Sequence, residues 1–471
     1  MSRRYGSVWV NGVAIITFAA AVAALSPACA DTLESALIQA YQNNPSLNSQ
    51  RAAVRATDEF VPQALSGYRP KVTVNGSAGD LYQDSTTKVT TPGAPSPYVH
   101  LNGNISPINY GFTATQTLFN GFQTANRTRQ AESQVFAARE TLRTTEQSVL
   151  LNAATAYMNL LRDTAIFDLQ RRNVEVLQEQ LRQTRDRFNV GEVTRTDVAQ
   201  SESRLAAGRS AVLTAEANYK TSAAIYRQVI GKEPQNLTAA TPVDRFSPRT
   251  QFEAVGAGNA QHPTVLTAQY NVDNALLQVK VAEGALYPNV SLQGSVQKNL
   301  MSSITGIQTF NAQVLGVVTM PLYQGGAEYS AIRQAKETLG QRRIDLDTAR
   351  DQVRQTVVQS WGQLDAAKAN IEATQAQVQA AEIALNGVRE EARVGQRTTL
   401  DVLNAQQELV NARVALVSAQ RDRVVASYTL LASVGRLSPG ILGLSVPVYD
   451  AQVHYHQIRD AWAGVRTPDG R

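Results

Sequence analysis

The sequence predicts a mainly α protein with a smaller β part, built from one unit of about two hundred residues given twice. Three observations carry this expectation. First, the stretch at 188–198 recurs at 392–402, an offset of 204 residues that aligns Gly191 with Gly395 and Asp197 with Asp401. Leu118-Phe119-Asn120-Gly121 and Leu322-Tyr323-Gln324-Gly325 keep that offset, as do Ile230-Gly231-Lys232 and Val434-Gly435-Arg436. A repeat this long makes two halves of one body rather than a solenoid array. Second, proline is absent from residues 108–233 and 322–438, and apolar residues recur at every seventh position through both gaps. Third, short segments that alternate apolar and polar residues precede each gap.

Residues 1–30 read as an export signal. Arg3 and Arg4 supply the positive start, residues 13–24 are apolar, and Ala28-Cys29-Ala30 ends in the small residues that a signal peptidase reads. The expected mature start is Asp31. Cys29 is the sole cysteine, and Ser26 stands where a lipidation motif wants leucine, so the mature chain carries no cysteine and depends on size rather than disulfides. The full chain has a formal net charge of +5, and losing Arg3 and Arg4 leaves it only mildly basic. Without a Lys/Arg block it has no electrostatic footprint for nucleic acid. Beyond residue 30 there is no apolar run long enough for a transmembrane helix.

Each half opens with a short helix, from Leu33 to Asn44-Pro45 and from Phe252 to His262-Pro263, followed by a second helix that ends near Pro70 or Pro288. Strands follow. Residues 71–76 and 289–294 alternate in character, and their expected partners are 110–119 and 312–323. Weakly alternating ten-residue segments suit transmembrane strands. Four strands close no barrel, and open edges cannot be satisfied in lipid, so the chain must oligomerise. Gly76 lies 42 residues before Leu118, whereas Gly294 lies 28 before Leu322; the excess falls in residues 84–109, whose Pro92, Pro95, Pro97 and Pro107 predict a long external loop.

The proline-free gaps predict long helices over 123–189 and 327–394, each ~100 Å long. Ala153, Leu160, Phe167, Val174, Leu181 and Phe188 form one heptad stripe; Val357, Leu364, Ile371, Val378 and Leu385 form its counterpart. Gly191 and Gly395 allow the left-handed backbone that ends a helix, and the return helices begin near Thr196-Asp197 and 398–401. Their own stripes are Val198, Leu205, Val212, Tyr219, Tyr226 and Leu403, Val410, Val417, Val424, Leu431. The expected division is signal 1–30, first repeat 31–245, second repeat 246–445 and tail 446–471. Tyr157 and Trp361, matched at the repeat offset, read as packing residues. His454-Tyr455-His456 could meet a metal but reads as surface tail, with the tail wrapping the helices or partly disordered. No phosphate loop, nucleophile elbow or metal-spaced Cys/His set appears, so neither an enzyme nor a cofactor is expected.

With these motifs in order in both halves, residues 32–436 resemble the TolC family of outer-membrane efflux and secretion channels. The most specific part is 394–406, similar to the family's Gly-x-x-Thr-x-x-Asp-Val-Leu-x-Ala stretch, supported by Asn44-Pro45, Pro70, Pro288 and residues 118–121. The resemblance implies a homotrimer in the outer membrane of a Gram-negative bacterium. Three chains would close a 12-stranded barrel continuous with a hollow periplasmic helical barrel. It implies a conduit for a tripartite efflux pump or type I secretion system, joined by a periplasmic adaptor to an inner-membrane transporter of ABC or RND type. It also places a gate at the hairpin tips, where Asp401 matches the acidic ring, Arg397 the basic residue of the closing network, and Asp197 with Thr196 the partner position. Asn404 falls where some members carry a second acid and Ala392 where the family has tyrosine, so one acidic ring and fewer closing links are expected. Asp197 and Asp401 also stand where a residue caps a helix start. The alternative is a periplasmic coiled-coil adaptor, which should carry one hairpin rather than two; a passive porin should have many strands and no such helices.

Overall fold

The computed structural model describes residues 31–90, 92–304, 306–468 and 470; the expected export signal and Cys29 lie outside the described residues. The chain opens with helices α1 (Leu33–Asn43), α2 (Pro45–Asp58) and α3 (Phe60–Leu65), then strands β1 (Lys71–Ala78), β2 (Leu81–Lys88), β3 (Tyr98–Ile105) and β4 (Ile108–Asn120). The first long hairpin is α4 (Gln123–Asn189) with α5 (Arg195–Ile230). After α6 (Gln251–Gln261), α7 (Pro263–Gly284), β5 (Asn289–Leu300) and β6 (Thr309–Thr319) comes the second hairpin, α8 (Ala327–Arg393) with α9 (Thr399–Ser433). Two short helices, α10 (Pro439–Leu442) and α11 (Ala451–Ile458), end the chain.

Both long helices span 67 residues. The short helices start where side-chain caps occur. The Asn44 amide oxygen accepts from the backbone N–H groups of Ser46 and Leu47, and Pro45 takes the first helical position, where its missing N–H costs nothing. His262 and Pro263 do the same for α7, with Nδ1 accepting from Thr264 N–H.

Four strands form one antiparallel sheet in the order β1-β4-β5-β6. Its register sorts the side chains. Val72, Val74, Phe112, Val296, Val314 and Val318 fall on one face; Thr73, Asn75, Thr113, Ser295, Gln297 and Gln313 fall on the other. One face is thus apolar and exposed, with Val72 at 66% and Val314 at 72% of full accessibility, and the other is polar. This is the alternation of a membrane strand. A bulge at Leu118 in β4 breaks the register between Thr117 and Phe119. Neither β1 nor β6 has a partner on its outer edge among the described residues.

The helices follow the strands. α4 packs on α2, α3 and α7, and α7 packs on α8, so the helix order repeats the strand order. The largest core lies midway along the hairpins around Tyr41, Leu150, Tyr157, Leu160, Tyr226 and Leu431. Tyr157 packs there, and Trp361 packs at the edge of a smaller cluster around Val357 and Leu364.

Two expectations are corrected. Residues 84–109 are not a plain loop: β2 and β3 pair from Leu81↔Ile105 to Lys88↔Tyr98 as a separate two-stranded ribbon. Pro92, Pro95 and Pro97 sit between the two limbs and Pro107 lies between β3 and β4, so the prolines mark turns and leave the ladder N–H groups intact. The tail docks on the helices, one of its two expected arrangements, but His454 does not lie on its surface. α11 lies on α2, and His454 is buried with Nδ1 3.1 Å from the Asp58 carboxylate. The Arg69 guanidinium covers Trp462 at 4.7 Å, and that of Arg139 stands 5.2 Å from the Tyr455 ring. Burying Asp58 without a partner would be costly, so His454 is a structural residue rather than surface tail.

Candidate gate at the hairpin tips

Both tips are built alike. Gly191 (φ +84°) and Gly395 (φ +81°) adopt the left-handed backbone that ends α4 and α8. Glu192 N–H reaches back to Arg187 O and Gly191 N–H to Phe188 O; Gln396 to Glu391 and Gly395 to Ala392 repeat the pattern. This glycine-ended closure satisfies helix carbonyls that would otherwise be orphaned.

The return helices start on Thr194 and Thr398. Thr398 coincides with the expected start, but the cap of α5 is Thr194, and Thr196 lies inside the first turn. Each threonine hydroxyl accepts from the Asp N–H three residues on, and each Asp carboxylate accepts from the threonine N–H, at 2.9 Å for Asp197 and 3.0 Å for Asp401. These are capping boxes with Asp in place of Glu. Hydrogen bonds to the charged form hold both carboxyls below the usual aspartate range. For Asp197 the Thr194 hydroxyl contributes most; for Asp401 the Thr398 N–H does, and the Arg397 charge adds least. Both are ionised at neutral pH. The bonds to Asp401 use Oδ2, and Oδ1 takes none from any described residue.

Arg397 does not reach across to the first hairpin. Its Nε donates to Glu391 on its own hairpin at 2.8 Å, which raises its pKa. The first tip pairs Arg187 with Glu192 at 2.9 Å in the same manner. The hairpins are instead linked one turn further in. Arg204 Nη2 donates to Asn404 Oδ1 at 2.6 Å, and Gln406 binds Asn173 at 3.4 Å while accepting from Arg389. Beneath these, Leu403 packs with Leu177, Leu181 and Leu205 and is 2% exposed. Asn404 is thus brought to a partner, Arg204, which the sequence did not single out. A heptad stripe marks Leu205 as an inward residue, and Arg204 flanks it, but nothing in the sequence sets the register between helices two hundred residues apart.

A sheet with one apolar and one polar face, carried on paired hairpins ~100 Å long with ionised carboxylates at their tips, is the build of a membrane-anchored channel protein. The comparisons agree. The family model described as outer membrane efflux protein matches residues 36–232 and 258–436. The chain is 44% identical to the outer membrane efflux protein BepC of Brucella suis over 445 residues, 94% of each chain. It is 26% identical to the outer membrane protein TolC of Escherichia coli over 423 residues, 85% of this chain and 82% of that one. The solved outer membrane protein VceC of Vibrio cholerae shares the fold, with a TM-score of 0.70 and 19% identity over 86% of this chain and 96% of that one. The chain belongs to the TolC-type outer membrane efflux protein family: it is an outer-membrane channel protein that extends into the periplasm.

Proposed function

We propose that three copies of this chain close a 12-stranded barrel and a continuous helical duct, through which cargo from an inner-membrane transporter of ABC or RND type leaves the cell. One observation carries the reading: strands and helices run in the same order across the chain, and the outer edges of β1 and β6 are unpaired among the described residues. A copy on each side would pair those edges, as lipid demands. Exposed Ile344 and Ile383 on α8, at 68% and 67%, and Leu213 on α5, at 66%, suit helix contacts between copies. The apolar sheet face meets outer-membrane lipid, and a periplasmic adaptor would bridge the duct to the transporter. Residues 1–30 serve as the cleaved export signal, 31–245 and 246–445 as the two repeats, and 446–471 as the docked tail.

We assign the closed end to the hairpin tips. Three Asp401 carboxylates, kept charged by Thr398, form a ring whose field favours cations. Arg397, whose charge acts on Asp401, belongs to the closing network with Asp197 and Thr196 of the other hairpin. Asn404 adds the Arg204 link rather than a second charge. Gly191 and Gly395 set the turns that present these residues. The test is single-channel conductance in a planar bilayer with a trivalent cation on the tip side. Wild type should show a small, blockable current; Asp401→Ala should weaken the block, and Arg397→Ser should raise conductance. Unchanged currents in both variants would remove the gate assignment.

A further inference from the structure

Where β4 passes into α4 and α7 into β5, the two helices meet at Gly121 and Gly284 and leave a groove of about 310 Å³. Its lining includes Phe122, Asn126, Arg129, Lys280, Glu283 and Tyr287. Neither Arg129 nor Lys280 makes a hydrogen bond or ion pair with any described residue. Glu283, the one acid in the lining, is already paired with Lys336 at 3.2 Å. Asn126 is only 8% exposed, and its side-chain amide has no partner among the described residues. A groove lined by two unpaired cations and an uncommitted amide suits a ligand with acceptor oxygens and negative charge.

The apolar side of that ligand is set by the sheet. After the bulge, Phe119 pairs with Val290, which pairs with Val318, so Phe119 lies on the apolar face. Phe122 packs edge-on against Phe119 at 5.3 Å and is 64% exposed, and Tyr287 is 55% exposed. The apolar wall therefore runs down into the groove. Arg129 ends the second turn of α4, ~10 Å along the helix from Phe122, the left-handed residue that precedes it. Acyl chains against Phe119 and Phe122 would place a phosphate at Arg129, Lys280 and Asn126.

We propose that this groove binds the phosphate of an anionic glycerophospholipid from the periplasmic leaflet. Two cations facing one phosphodiester favour a headgroup without its own ammonium. The proposal rests on the sheet being a membrane wall, and the test separates the two. The purified full chain in detergent is offered phosphatidylglycerol or phosphatidylcholine of identical acyl chains, with retention read by native mass spectrometry. A cation near a membrane surface is worth roughly fivefold in affinity, so Arg129→Gln with Lys280→Gln should lose phosphatidylglycerol by about twenty-five-fold. Arg333→Gln, at the equivalent place on α8, should lose little. Both substitutions fall on exposed side chains, so folding is not at stake. Equal retention of the two lipids, or an equal loss in Arg333→Gln, overturns the site while leaving the wall intact. Displacement of the lipid by inorganic phosphate at equal concentration also overturns it, in favour of a plain anion site. Retention of neither lipid overturns the proposal together with the membrane wall.

Discussion

The close approach of Gly121 and Gly284 makes a sharp prediction. A Cβ added to Gly284 would sit 2.6 Å from the Gly121 carbonyl oxygen and 2.7 Å from Gln123 Cγ; one added to Gly121 would sit 2.2 Å from the Gly284 carbonyl oxygen. The Gln123 side chain can move, but the backbone carbonyl can shift only by parting α4 from α7. Alanine inside a helix is normally better than glycine by roughly 0.5–1 kcal/mol. Overpacking costs about 1–3 kcal/mol, and Gly284 is the last residue of α7, where the helix gain is smallest, so the clash wins. Gly284→Ala should destabilise by ~1–2 kcal/mol. Gly121→Ala should be worse, because φ is +63° there and a side chain in that region adds ~1–2 kcal/mol. The assay is thermal loss of the helical circular-dichroism signal. Gly256→Ala is the control: it sits inside α6 with nothing within 4 Å of the new Cβ, and it should stabilise slightly. If Gly284→Ala melted at or above wild type, alongside Gly256→Ala, the close approach of α4 and α7 would be wrong.

Two further substitutions test buried polar contacts. The Tyr157 hydroxyl, on a side chain that is 0% exposed, lies 2.7 Å from Asp31 O and accepts from Thr238 N–H at 3.0 Å. Thr238 N–H also reaches Asp31 O at 3.2 Å, so Tyr157→Phe removes one member of a shared network and should cost ~0.5–1.5 kcal/mol in the same melt, with faster amide exchange at residue 238. Burial raises the Asp58 carboxyl above the usual aspartate range, against the opposing pull of the His454 hydrogen bond and the Arg139 charge. A pKa raised in the folded state means stability that is present below the ordinary carboxyl range and lost as pH rises through the folded value. Amide exchange in α11 should therefore quicken as pH rises through that window, and Asp58→Asn should flatten the slope once intrinsic exchange is subtracted; an unchanged slope would place the titration elsewhere.

What the sequence made legible follows the range of the interaction. The 67-residue helices could be read because heptads and missing prolines are local signals repeated many times. The sheet strands could be read because one face is apolar and the other polar. In the β2–β3 ribbon only β3 alternates, Val99, Leu101 and Ile105 against His100, Asn102 and Asn104; β2 sets Gln83, Ser85 and Thr87 on the same face as those apolar residues, so the pair has no consistent contrast. The start of α5 near Thr196-Asp197 could be read to within a residue or two, but that Thr194 is the cap is decided by the backbone geometry. The contacts that tie distant segments, Arg204 to Asn404 and His454 to Asp58, depend on register between helices, which no local pattern encodes. At the hairpin tips the turn positions could be read, while the pairing of Arg397 with Glu391 could not.

The proposed ring can be tested through its own internal template. The β1–β4 pairing of Asn75 with Gly111 becomes the β5–β6 pairing of Gln293 with Leu315 when the first strand of each pair shifts by 218 residues and the second by 204. The two halves therefore share one register. The β4–β5 ladder joins the end of one half to the start of the next, which is the junction that β6 would make with β1 of a neighbouring copy. Carrying Thr115↔Gln293 through the same shifts places Thr319 opposite Asn75 of the neighbour. Facing Cα atoms in an antiparallel pair are about 4.5–5.5 Å apart, within disulfide reach of about 4.4–6.8 Å. Residues 31–471 contain no cysteine, so the background is clean. Asn75→Cys with Thr319→Cys should yield a covalent trimer under oxidation on a non-reducing gel. Gly76→Cys with Thr319→Cys should not, because a one-residue slip sends the two side chains to opposite faces of the sheet. Cross-linking in the slipped pair alone would refute the register, and none in either pair would refute closure of the barrel by β6 on β1.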